Sequence, residues 1–301
     1  MKTLAAPLVA LILVSACSRR EPPAPPAAAP APQAPVAAKP APAPAVEDRY
    51  APLMRAVFGS QYRSDKGDAL APMPDAHDPG TRSPLVLSGV QSTQLPSGET
   101  VLVVAGEQVD ENGNADSSHG SPGYLSLYLL RQENDRWVVL RKHENIAELG
   151  SHGKVGRLSW VELGPGKTGL VAEHGMTGQG TTVMQLALFD PAAGKVADLT
   201  GDGIVYHYDD EGGCTEMRER CASSDAKWRL DAASPAQPYF DLVLDIESTE
   251  RVAKPGAMEA GPKDGADDIE RDERTTRTTA RYGFVDSKYR LREGSNPMDS
   301  E

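Results

Sequence analysis

Between residues 100 and 200 the chain alternates apolar-rich segments of strand length with clusters of turn residues. The segments are 100–109, 124–131, 136–146, 157–163, 168–174, 181–190 and 195–200, each rich in Val, Leu and Thr, and that rhythm predicts a β-meander. Short turns at 132–135, 164–167 and 191–194 alternate with connections that carry His119, His152 and His174. In an antiparallel meander, alternate connections fall at the same end of the sheet, so the three histidines are expected on one rim. Upstream, Tyr50, Leu53, Met54, Val57 and Phe58 recur at helical spacing, with Pro52 in the first turn and Gly59 as a stop. They predict one short helix lying over the β body. Residues 60–83 show no clear element, and 85–90 begins the strands.

Downstream, 204–208, 227–231 and 239–248 read as strands. In the last of these Asp241, Asp245 and Glu247 alternate with Leu242, Leu244 and Ile246, giving one wet and one dry face. Residues 255–274 are charged and poor in large apolar side chains, which predicts a mobile acidic loop. Segments 275–285 and 288–292 form a hairpin about Asp286-Ser287, and 296–301 is expected to be a disordered tail. About a dozen successive strands with one short N-terminal helix make an all-β, antiparallel domain over 47–295. A β-propeller-like arrangement is the first expectation, and a large β-sandwich or barrel the alternative.

The first 46 residues differ in kind. Lys2 precedes an apolar run at 4–14 and then Val14-Ser15-Ala16-Cys17, the layout of an export signal. The four-residue motif resembles the lipobox of bacterial lipoproteins, with Val14 where that family more often has Leu. The resemblance implies a signal peptide at 1–16, lipidation (palmitate included) of Cys17 as the first mature residue, and attachment to the membrane. Ser18 implies the outer membrane, with the domain facing the periplasm or the exterior. The apolar run is too short for a transmembrane helix, which needs roughly 20 residues. Residues 22–46 are almost wholly Pro and Ala, a spacer in extended polyproline conformation that could reach about 78 Å.

The chain carries a net charge of −12. Because Lys2, Arg19, Arg20 and Lys39 stand against Glu21 alone in the first 46 residues, the body is more acidic still. Nucleic acid is therefore excluded as a partner, since its recognition needs a basic footprint. With Cys17 committed to the anchor, Cys214 and Cys221 remain as a pair in an exported chain, and a disulfide between them is expected.

Three stretches repeat His-Gly-x-x-Gly, at His119, His152 and His174. Glycine pairs serve turns, and the same imidazoles, if they converge, suit a divalent metal. Asp110, Asn112, Asn114 and Asp116 supply oxygen donors at every second position, resembling the start of an EF-hand calcium loop. Gly113 and Ser121 depart from that pattern, and no flanking helices are expected. Asp202, Asp209, Asp210 and Glu211 would add to an acidic rim. Catalytic signatures are lacking: Val161 stands where a phosphate loop needs its first glycine, and His143-Glu144 has no second histidine. The leading reading is a non-enzymatic envelope lipoprotein presenting an acidic, loop-rich rim to an envelope protein or a glycan, with no cofactor. The rival is a metal-dependent hydrolase or a metal carrier using the histidines.

Overall fold

The computed structural model describes residues 49–75, 78, 80–215, 218–232, 237–262 and 268–300. The expected signal peptide, Cys17 and the Pro/Ala spacer lie outside the described residues. Two antiparallel sheets make up the body, and in both the spatial strand order follows the chain. The first sheet holds β1 (Tyr62–Arg63), β2 (Asp68–Pro74), β3 (Arg82–Gln94), β4 (Thr100–Gln108), β5 (Gly123–Glu133) and β6 (Arg136–Leu149). The second holds β7 (Arg157–Gly164), β8 (Lys167–Gly178), β9 (Thr181–Phe189), β10 (Ile204–Asp209), β11 (Arg220–Asp231), β12 (Asp241–Ala253), β13 (Arg271–Val285) and β14 (Lys288–Gly294). The meander expectation holds, but the propeller does not form. A propeller needs the ladder to break after each short blade, whereas here six and then eight consecutive strands stay hydrogen-bonded to their predecessors, and neither sheet closes.

The ladder breaks once, at 150–156, where the chain crosses between sheets through backbone that ordinary residues avoid. Gly150, His152, Gly153 and Gly156 all have positive φ, of 65°, 53°, 72° and 82°. The crossover folds the sheets face to face. Val101, Val103, Leu125, Leu127 and Leu129 from the first meet Leu170, Ala172, Ala187 and Phe189 from the second in one core.

The outer face of the first sheet is covered by α1 (Ala51–Phe58). Tyr50, Leu53, Met54 and Phe58 pack on Leu87, Leu102, Val104, Tyr128 and Leu130, as the helical spacing predicted, and Gly59 ends the helix at φ 57°. The second sheet curls over a core of its own. Val171, Leu186 and Leu188 on one side of it join Leu242, Leu244, Ala280, Tyr282 and Tyr289 on the other. Bonds from the Phe240 N–H to the Leu163 carbonyl (2.6 Å) and from the Tyr289 N–H to the Leu199 carbonyl (2.7 Å) tie the curl without closing a barrel. Among the described residues no helix is long and apolar enough to cross a membrane.

Four expectations change. Residues 60–83 contain β1 and β2: Ala69, Ala71 and Met73 point inward at strand spacing. Pro72 and Pro74 are tolerated because β1 pairs only with Asp68 and Ala69, leaving their edge open. Segment 195–200 is a loop, its backbone held by the Asp198 carboxylate, which accepts the N–H groups of Leu188 (3.1 Å) and Thr200 (2.9 Å). The stretch 255–274 is not one loop, since it contains a short α2 (Ala257–Ala260) and the start of β13, whose Arg271–Arg274 pair with Glu250–Ala253; residues 263–267 lie outside the described residues. The tail is ordered through Ser300, with Met298 3% exposed in the second-sheet core and the Tyr282 hydroxyl donating to Asp299 (2.7 Å).

Candidate functional site

Hairpin parity places the β2–β3, β4–β5, β6–β7, β8–β9, β10–β11 and β12–β13 connections at one end of the molecule's strands. Several are knit together by direct contact. The His152 N–H approaches the His119 carbonyl (3.4 Å), and the Gly153 N–H donates to the Ser121 carbonyl (2.9 Å). A side chain at Gly123 would strike the backbone of Lys154 and Val155, and one at Gly180 the backbone of Gly212 and Gly213. Within the repeated stretches, Gly123, Gly156 and Gly175 stand where a neighbouring backbone approaches too closely for a β-carbon, whereas Gly120 and Gly178 are open.

Two of the three histidines come together. His119 Nδ1 and His152 Nε2 lie 2.8 Å apart in a direct hydrogen bond, with ring centroids 4.6 Å apart and rings nearly perpendicular. Both rings are exposed. One of the two nitrogens therefore carries a hydrogen and the other a lone pair. His174 is elsewhere: it lies within β8, 8% exposed, and its Nδ1 accepts the Gly150 N–H at 3.2 Å. That bond places its hydrogen on Nε2, which finds no acceptor. Burial pushes this imidazole down to about 4, so it is neutral at physiological pH. Each histidine helps fix the crossover, His152 toward the first sheet and His174 toward the second.

The Asp110–Asp116 oxygens are turned mostly onto their own loop. Asp110 Oδ1 accepts the N–H groups of Asn112 (2.9 Å) and Asn114 (2.8 Å), which holds its carboxyl below the ordinary range. Arg63 donates to the Gly113 carbonyl (2.8 Å) and Lys66 to Asn114 Oδ1 (3.2 Å), so cationic side chains occupy acceptors a calcium ion would need. The Asp116 N–H donates to the Gln108 carbonyl (2.9 Å). Among the described residues no group of three or more His, Cys, Asp and Glu side chains is placed to hold a metal.

Of the later acidic residues, Asp209, Asp210 and Glu211 reach this end, and Asp202 falls in the β9–β10 connection at the other. Asp210, 4% exposed, takes the Ala222 N–H (2.7 Å) and Arg218 (2.9 Å), and Glu211 pairs with Arg251 (3.2 Å). Beside them Cys214 and Cys221 form the expected disulfide, with α-carbons 5.8 Å apart.

Several features escaped the pattern reading. A cavity of about 460 Å3 opens between Pro74, Gln108, Asp116, Tyr124 and Asn145. Buried Glu173 accepts the Trp228 indole N–H (3.1 Å) and pairs with Arg157 (2.5 Å). Met176 is 51% exposed on β8. For Glu173 a signal existed, a charge inside an apolar strand run; for Met176 there was none. No protein-family model matches the chain, and neither a curated protein nor a solved structure does.

Proposed function

We propose that this chain is a lipoprotein of the outer membrane, anchored through Cys17, whose β body is a non-enzymatic binding module presenting the end around His119 and His152 to an envelope partner. The observation that carries the reading is the mutual clamping of two connections, β4–β5 and β6–β7, at the crossover, the second of them seated against strand β8. The direct imidazole bond, the Gly153-to-Ser121 bond and the Gly156 contact on Glu173 turn separate loops into one fixed surface. Loops held on a rigid β scaffold are the usual place for recognition. The lipobox, the Pro/Ala spacer and the disulfide fit an exported, tethered address.

Two measurements test the two halves of the proposal. Cells given labelled palmitate should incorporate it into the chain and not into Cys17→Ser; equal labelling ends the tether. A photo-crosslinking residue at Gln179, in the β8–β9 turn, should capture an envelope component, and the same residue at Ser287, in the β13–β14 turn at the opposite end, should not. Equal capture at both positions, or none at Gln179, ends the recognition reading.

A further inference from the structure

His119 and His152 offer two imidazole nitrogens to one point. At 2.8 Å those nitrogens share a hydrogen, and a metal bound by both at about 2.0–2.1 Å, in a trigonal site, would hold them about 3.5 Å apart. Exposed side chains on two loops can part by that small distance. The ring that donates need only move its hydrogen to its other nitrogen through solvent, so ligation releases no net proton.

The third donor comes from β8. Strand alternation puts His174, Met176 and Gly178 on one face, and the β8–β9 register runs from Leu170 to Gly178 without a bulge. Gly178 lies beside one ring of the pair: a β-carbon there would be 3.9 Å from His119 Nε2. Met176 is one inter-residue step of that face away, about 6.6 Å along the strand, on the side toward His174 and the crossover. The residue is 51% exposed, where an apolar side chain gains little.

Hard donors nearby are engaged. Glu107 is paired with Lys154 (2.5 Å) and Glu173 with Arg157 (2.5 Å). A borderline ion such as zinc favours further ligands of nitrogen, thiolate or carboxylate, and among the described residues no third His, Cys, Asp or Glu is placed to join the pair. Two imidazoles and a thioether are instead a soft, three-coordinate set, the kind that selects monovalent copper.

We propose that His119, His152 and Met176 form a copper(I) site at the clamped loop end. The site gives a ligand to the surface read above as the recognition end, and rests on that reading for nothing but its place, since copper binding is measured without any partner.

The test uses the full chain carrying Cys17→Ser, so that no free thiol competes, with ascorbate as reductant and bicinchoninate as the competing chromophoric ligand. The chain should withdraw one equivalent of copper(I). His119→Asn and His152→Asn, the latter chosen because Asn tolerates positive φ, should each weaken binding by at least about a hundredfold, and Met176→Leu by at least about tenfold, since losing a direct ligand costs no less than the roughly 10–100-fold lost with an outer-shell partner. His174→Gln should bind as the parent does, and zinc affinity should be unchanged by Met176→Leu. Circular dichroism of each variant checks the fold. A parent chain that withdraws less than about half an equivalent, histidine variants that bind undiminished, or a Met176→Leu chain indistinguishable from its parent would each overturn the site. None of these outcomes bears on crosslinking from Gln179, so the two proposals fail separately.

Discussion

The central strands and the outer strands of this molecule are built to different rules. In β4 every residue from Val101 to Val104 is buried, and in β5 every residue from Leu125 to Leu130, because one face of these strands meets α1 and the other meets the second sheet. In β12, Leu242, Leu244 and Ile246 are buried while Asp245 and Glu247 are exposed. The outer face of β12 carries ion pairs with its neighbours: Asp245 with Arg229, and Glu247 with Arg277 (2.6 Å). Two residues of that face are buried: Asp241, 7% exposed, accepts from Arg281 (3.0 Å), and Val243 lies between its cross-strand neighbours Arg229 and Arg281, whose aliphatic stems can cover it. An antiparallel strand alternates only when water reaches one of its faces. A continuous apolar run therefore reports a layer on both sides.

That contrast orders the expected effects of substitution. Leu127→Ala, between the two sheets, should cost about 4 kcal/mol, and its companion Leu244→Ala, in the curled core, about 3 kcal/mol, both read from urea denaturation. A clearly larger cost for the outer strand would break the layer argument. At the crossover, Gly156→Ala puts a β-carbon onto the Glu173 carbonyl from a backbone at φ 82°. It should cost about 3 kcal/mol, the scale of enforced backbone strain.

His174 supplies a pH signature at the same junction. It titrates at about 4 when folded and near 6.5 when unfolded, so the unfolded chain takes up the proton first. The stability present above about pH 6.5 should fall as pH drops toward 4, by about 1.4 kcal/mol per unit and about 3 kcal/mol in all. Thermal melts between pH 7 and pH 4.5 should show a shallower decline in His174→Gln, and an equal decline would remove this imidazole as the cause. Opening the Cys214–Cys221 bridge by a double serine substitution should cost roughly 2–3 kcal/mol, as expected for a loop of this length. Arg229→Ala, breaking a pair whose side chains are both about half exposed, should change stability by no more than about 0.5 kcal/mol.

Much of the fold was legible from period alone. The α1 stripe and the hairpin about Asp286 and Ser287 (φ 50° and 69°) stand where the pattern put them, as does the dry face of β12; on its wet face Asp245 and Glu247 are exposed but Asp241 is buried under its pairing with Arg281. Strand β2 was hidden because its prolines argue against a strand, and only an open edge makes them acceptable. The order of the tail was hidden because a lone Met298 has no period. Around the candidate site, parity brought His119 and His152 together as expected, while His174 stands apart in the strand interior.

The amino-acid sequence determined most of the strands, their succession and the cysteine pair, because these depend on neighbours a few residues apart. Whether the meander would run on, close or fold back was decided in three dimensions, by one crossover at 150–156 whose glycines let backbones touch. The same packing settled the chemistry of the histidines. Solvent and a facing imidazole make His119 and His152 a pair, and burial makes His174 a neutral hydrogen-bond acceptor, a distinction that identical His-Gly spacing could not carry.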